Sequence, residues 1–181
     1  MSIGGAIALV LAALAIFWCI GAYNRLMELR NRIGAAFGQM DTALRQRAEQ
    51  VQRLLEILRF DLPSEQITLD TLQAAQVESV AAAEAMRPRP TALDSIGKLV
   101  SAEAAQGAVM ARLSALLDQH IELRERSDVQ PLLMELKSIE RQRSFARDCF
   151  NEAVRIYNAA AHQFPTRLLV GMYGFDVAGK L

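Results

Sequence analysis

IGGAIALVLAALAIFWCIGAY, residues 3–23, runs directly into NRLMELRNRIGAAFGQMDTALRQR, residues 24–47, and the reading of this join decides the fold. The first stretch has no charged and no strongly polar side chain. As a helix it reaches roughly 31 Å, the hydrocarbon thickness of a bilayer. Ile3, Leu9, Leu14, Phe17, Trp18 and Tyr23 are read as members of one membrane span, with Trp18 and Tyr23 in the half where interfacial aromatics belong. The competing reading is a cleaved secretory signal. The start lacks a basic n-region and the apolar run exceeds an ordinary h-region, so an uncleaved span is expected. The second stretch changes pattern: Leu26, Ile33, Phe37, Met40 and Leu44 recur at three-four spacing, the mark of an amphipathic helix. No Gly or Pro interrupts the chain between Ala22 and Arg32. The span is therefore expected to continue into a bundle helix as one rod of nearly 90 Å.

Orientation follows from the flanking bases. Arg25, Arg30 and Arg32 follow the span, while only the α-amino group precedes it. The positive-inside rule then puts the N-terminus outside and the rest of the chain in the cytoplasm.

The remainder reads as all-α. Apolar residues make up 52% of the 181 positions but aromatics only 6%, so Ala, Leu and Val dominate and long helices are favoured over a β-sandwich. Prolines at 63, 88, 90, 131 and 165 mark helix boundaries. They predict an antiparallel four-helix bundle over residues 24–164, with helices at about 24–61, 64–87, 91–126 and 128–163, after a transmembrane helix at 1–23 and before an apolar tail at 165–181. The first bundle stripe continues through Val51, Leu54 and Leu58. A second follows Leu93, Ile96, Val100, Gly107, Met110, Leu117 and Ile121, and a third Leu132, Leu136, Ile139, Ala146, Phe150, Ala153, Tyr157 and Ala160. Ser64, Thr91 with Asp94, and Ser127 or Asp128 are candidate N-caps. The Ala-rich helix 64–87 is the shortest, about 36 Å against about 55 Å for the others. One side of the bundle is thus expected to lack a full helical cover, and it is either a candidate surface for self-association or a face that loops or the tail cover.

Motifs of catalysis are missing from the sequence. His120 and His162 lie far apart and belong to no metal-ligand spacing, and Cys149 has no accompanying His–Asp arrangement. There is no phosphate loop and no HExxH, so no enzymatic activity and no cofactor is expected. The 20 basic residues equal the 20 acidic ones, which argues against a nucleic-acid partner. Arg47 and Arg143 fall on or near apolar stripes, and with Asn151 they are candidate buried polar residues that set helix register.

Two stretches resemble a known family. YNRLMELRNRIGAAFGQMDTALRQR (Tyr23 to Arg47), just after the single span, and FARDCFNEAVRIYNAAAHQFPTRLLVGMYGF (Phe145 to Phe175) are similar to the first and closing helices of LemA-family bacterial membrane proteins. The matching positions near the end include Ala146, Arg147, Phe150, Asn151, Tyr157, Asn158, Phe164, Pro165, Gly174 and Phe175. After Arg47 the family usually continues with an acidic residue and Pro-Asn-Leu; this chain has Glu49, Gln52, Arg53 and Leu54, and Arg143 stands where the family tends to be apolar. The resemblance implies a divergent member: a helical bundle anchored in the bacterial inner membrane, without established enzymatic activity. Some relatives are linked to internal membrane formation in magnetosome-bearing bacteria, so a role in membrane organisation is implied.

Topology adds a prediction about charge. If each bundle helix runs the full length, the link Arg87-Pro88-Arg89-Pro90 and the tail both return to the lipid. Arg25, Arg30, Arg32, Arg87, Arg89, Arg167 and Lys180 would then gather at the head groups of an anionic leaflet, each contributing roughly 1 kcal/mol. Leu168, Leu169, Val170, Met172, Tyr173 and Phe175 form an apolar run too short to span, expected either in the interface as a second anchor or against the base of the bundle as a plug. The expected function is a membrane scaffold that forms homo-oligomers and organises or remodels the bilayer. The alternative is an adaptor that recruits another protein through an exposed bundle face.

Overall fold

The computed structural model describes residues 3–163 and 177–181, and these are all-helical apart from their links and the closing segment. Helix α1 covers Ile3–Asp61, a single rod of 59 residues that continues through Gly34 and Gly38. Pro63 ends it, because the residue before a proline is pushed out of helical geometry and Leu62 takes φ −122° and ψ 64°. A 3-10 turn at Pro63–Glu65 reverses the chain into α2, Gln66–Met86. Pro88 and Pro90 separate α2 from α3, Leu93–Gln119. A single turn, α4 (Ile121–Arg124), leads to α5, Gln130–His162, with Pro131 in its first turn.

All eight residues of the expected α1 stripe are buried, from Leu26 to Leu58. On α5 the expected stripe also faces inward, with Leu136, Ile139, Ala146, Phe150, Tyr157 and Ala160 buried. The α3 stripe is right at Ile96 and Leu117, which are buried, but Leu93, Val100 and Ile121 are exposed, and the buried face continues instead through Leu99, Ala102, Gln106 and Leu113. The inward face carries Gln106 and the half-buried Glu103, and these polar residues disguised it. The N-cap positions of α2, α3 and α5 are instead Glu65, Ala92 and Val129, and none of these three makes a side-chain cap bond. Asp128 is taken up by Arg126 instead, at 2.6 Å.

The bundle has two apolar cores. A span-proximal one joins Leu26–Leu44 of α1 to Met86, Ile96, Leu99 and the α5 residues Ala146–Ala161. A distal one joins Val51–Leu62 to Leu69, Leu72, Leu113, Leu117, Val129 and Leu136. Helix α5 packs along α1, α2 lies against both α1 and α3, and α3 and α5 make no comparable contact with each other. The seam between α3 and α5 is therefore the incompletely covered side.

The first part of α1 is largely exposed among the described residues. Leu9, Leu14 and Phe17 are exposed, and so are Trp18 and Tyr23. This is a helix long and apolar enough to cross a membrane by length and composition. An apolar surface of this extent exceeds what a soluble monomer leaves in water.

Candidate functional site

The most unusual chemistry in the bundle is a polar layer between the two cores. Arg47 of α1 is only 6% exposed. A buried guanidinium needs a carboxylate and further acceptors, and the surrounding helices supply them. Arg47 Nη1 donates to Glu103 Oε2 at 3.0 Å and Nη2 to Glu103 Oε1 at 2.5 Å, a bidentate pair reaching α3. Nη2 also meets Ser79 Oγ of α2 at 3.1 Å and Gln106 Oε1 of α3 at 2.5 Å. Gln106 Nε2 in turn donates to Gln76 Oε1 of α2. From α5, Arg143 Nη1 donates to Glu103 Oε2 at 3.0 Å and also holds Glu140. Ser79 and Gln76, and likewise Glu103 and Gln106, are three apart, so each pair shares one helix face. One layer thus ties all four long helices together.

Glu103 accepts four hydrogen bonds: Arg47 and Ser79 at Oε1, Arg47 and Arg143 at Oε2. That uses the lone-pair capacity of a carboxylate, so Glu103 is not poised as a general base. Two arginines and the two carboxylates of Glu103 and Glu140 balance in charge. The hydrogen bond from Arg143 holds the Glu140 carboxyl below the usual glutamate range, and the same contact raises the Arg143 guanidinium. Arg47 Nε and Gln76 Nε2 are buried without an acceptor. Among the described residues no cluster of His, Cys, Asp and Glu is arranged to hold a metal ion.

Distal to this layer the α3–α5 seam opens into a cleft of about 840 Å³. Arg47, Glu103 and Arg143 lie at one end and Arg124 and Gln130 at the other, with Met110, Leu113, Leu133 and Met134 between. On the proximal side of the layer the seam is filled. Residues 177–181 lie there, Ala178 being 3% exposed within the proximal core.

The expected collar of bases is smaller than its sequence suggested. Arg25 and Arg30 are exposed close to the apolar segment, and Arg32 pairs with Glu28 at 2.6 Å. The α2–α3 link is set back. Pro90 rests at 4.0 Å from where a Cβ of Gly34 would stand, and Gly34 lies about 16 Å along α1 from Tyr23. Arg87 turns onto Asp41, donating through Nε at 3.1 Å and Nη2 at 3.1 Å, and this contact raises its pKa. Arg87 and Arg89 therefore do not reach the end of the apolar segment, because α2 is too short to return that far. Lys180 is set back as well. It neighbours Leu181, which is held by Asn151, and the adjacent Phe150 ring meets Phe37, about 21 Å along α1 from Tyr23. Arg167, Leu168, Leu169, Val170, Met172, Tyr173 and Phe175 lie outside the described residues.

Of the three register candidates, Arg47 and Arg143 meet at Glu103, whereas Asn151 sits apart and holds the backbone of Leu181. Sequence reasoning missed Glu103, Gln106, Ser79, Gln76, Asp41 and Asn158. The i,i+3 polar pairs on α2 and α3, and the seven-residue step from Asn151 to Asn158, were the available signals.

A family model described as "LemA family" matches residues 36–180, which takes in the polar layer, the middle helices and most of the closing segment. No curated protein matches the chain.

Proposed function

The chain belongs to the LemA family, which is membrane-associated and not known as an enzyme family, and from that premise we propose that it is a single-pass membrane scaffold. In this reading residues 3–23 cross the bacterial inner membrane with the N-terminus outside. The bundle stands in the cytoplasm, copies associate with one another, and the assembly organises or remodels the bilayer. The observation that carries the reading is the continuity of α1: one helix holds both the apolar segment and the spine of both cores. A helical rod transmits the bundle's orientation to the membrane, where a flexible tether would not. Arg25, Arg30 and Arg32 are then the bases nearest an anionic leaflet, and Arg87, Arg89 and Lys180 stand farther along the bundle. The test is native size in mild detergent together with images of cells that overexpress the full chain. Large assemblies and altered membranes are expected. Insertion of Gly-Gly-Ser between Tyr23 and Asn24 should abolish the membrane change while the bundle stays folded. A monomer with ordinary membranes would sink the proposal.

A second reading rests on the open cleft between α3 and α5. As an adaptor, the protein would hold a partner's apolar segment there, against Met110 and Met134. A detergent-solubilised monomer that copurifies with one stoichiometric protein, and loses it on Met134→Glu, is the outcome that favours this reading over the scaffold.

A further inference from the structure

The proximal end of the α3–α5 seam holds residues 177–181 by a rule that reads backbone. Asn158 accepts the Ala178 N–H at 3.0 Å through Oδ1 and donates to the Ala178 carbonyl at 2.9 Å through Nδ2. Asn151 does the same for Leu181, with both bonds at 2.8 Å. Each side-chain amide thus treats one residue as a neighbouring β-strand would, by exchanging a donor and an acceptor. The spacing is consistent. Seven helical residues rise about 10.5 Å, and three residues of extended chain cover about 10 Å. Two turns of α5 therefore match three steps of an extended peptide.

Side-chain space is also selected. A Cβ on Gly179 would stand 2.8 Å from Leu93 Cδ2 and 3.1 Å from Ile96 Cδ1, so a side chain at that step must push aside the exposed tip of Leu93 and press on the buried Ile96. Ala178 is buried beside it, Leu181 is half-buried against the core, and Lys180 points to solvent. The groove's preferences run small, smallest, free, apolar. Holding is modest: four hydrogen bonds through two side chains oppose the ordering of five residues, terms of similar size. Such segments open locally well before the whole protein unfolds.

We infer that the seam between α5 and the start of α3 is a peptide-binding groove for an extended segment with glycine at its third position, and that Val177–Leu181 of the same chain is a detachable ligand in it. This stands independently of the membrane role.

The test uses the full chain in mild detergent with residues 177–181 deleted, and a fluorescent VAGKL peptide as probe. The peptide is expected to bind the deletion chain about tenfold more tightly than the intact chain, whose own segment competes, and Asn158→Ala should weaken binding about tenfold. A VAVKL peptide should bind more weakly than VAGKL. Equal binding of the two peptides, or no binding to a deletion chain that keeps its helical signal, overturns the inference. If the deletion chain does not fold, amide exchange on the intact chain decides. Protection at Ala178 and Leu181, lost in Asn158→Ala and Asn151→Ala respectively, supports the groove, and free exchange in the parent chain overturns it. Protection found only at concentrations where the protein dimerises would make a second copy the donor and overturn the intramolecular assignment.

Discussion

The α3–α5 seam is filled at its span-proximal end and open at its distal end, although the same two helices wall both. At the filled end Ala178 lies in the core with Ile96 and Leu99. At the open end Met134 is 63% exposed. The difference lies in what each wall offers a backbone. An extended segment brings N–H and C=O groups that need partners when buried. Asn151 and Asn158 provide them on the proximal side. The distal walls carry Met110, Leu113, Leu133 and Met134 beside polar residues such as Ser114, Gln130 and Lys137, with no asparagine among them. Between the two ends, Glu103 and Arg143 bridge the seam without closing it. A lining without paired asparagines leaves a groove; amide groups in register make it a receptor for chain.

Four perturbations break or sharpen this contrast, and the largest strikes the divide itself. Glu103→Ala leaves Arg47 buried without its counter-ion and should cost about 3–5 kcal/mol in urea unfolding followed by helical ellipticity. The double variant Arg47→Met with Glu103→Leu removes both charges and should recover most of that loss; an equal loss would show that the layer does more than balance charge. At the filled end Ile96→Ala empties a packed site and should cost about 2–4 kcal/mol. Asn158→Ala, which removes one backbone-reading amide there, should cost about 1 kcal/mol in the same measurement. At the open end Met134→Ala should stay within about 0.5 kcal/mol, since an exposed side chain has little packing to lose. A cost matching that of Ile96→Ala would mean the cleft is closed in solution.

The smallest effect is a pH dependence beside the cleft. Glu140 is held below its ordinary range first by the hydrogen bond from Arg143, then by the charges of Arg143, Arg47 and Arg147. Its folded-state pKa is depressed, so its contribution is complete above the ordinary glutamate range and is lost as pH falls through the lower, folded value. Asp128, held down by Arg126, and Glu152, held down by Arg155, act in the same direction. Stability should therefore be flat near neutrality and decline on the acid side, and Glu140→Gln should make that decline shallower. An unchanged acid limb in thermal melts of Glu140→Gln would show that the pair is fully screened by solvent.

Periodicity was legible wherever the buried face is mainly apolar. The eight α1 stripe residues from Leu26 to Leu58 are all buried, because apolar side chains dominate that face, with Asp41 and Arg47 as its buried polar exceptions. On α3 the phase was lost where Glu103 and Gln106 occupy the inward face, since a hydrophobic stripe is recognised by the absence of such residues. Arg47 and Arg143 were legible as core-facing charges, but their shared partner was not: Glu103 lies 56 residues from the first and 40 from the second. Caps failed for a related reason, because Asp128 had a stronger local partner in Arg126 than any helix N-terminus. The basic collar was overcounted because the α2–α3 link was returned to the lipid although α2 is the shortest of the long helices.

Local chemistry decided the parts of this protein that neighbours along the chain can decide. The apolar segment, the uninterrupted α1, the turns at Pro63 and Pro90 and the inward stripes of α1 and α5 all follow from steric and periodic rules that act within a few residues. Tertiary structure alone decided which carboxylate neutralises Arg47, which face of α3 turns inward, and that Asn151 and Asn158 read the backbone of Leu181 and Ala178. Those pairings join residues 20 to 56 positions apart. A buried polar group accepts whichever partner the packing brings, and packing is a property of all four helices together.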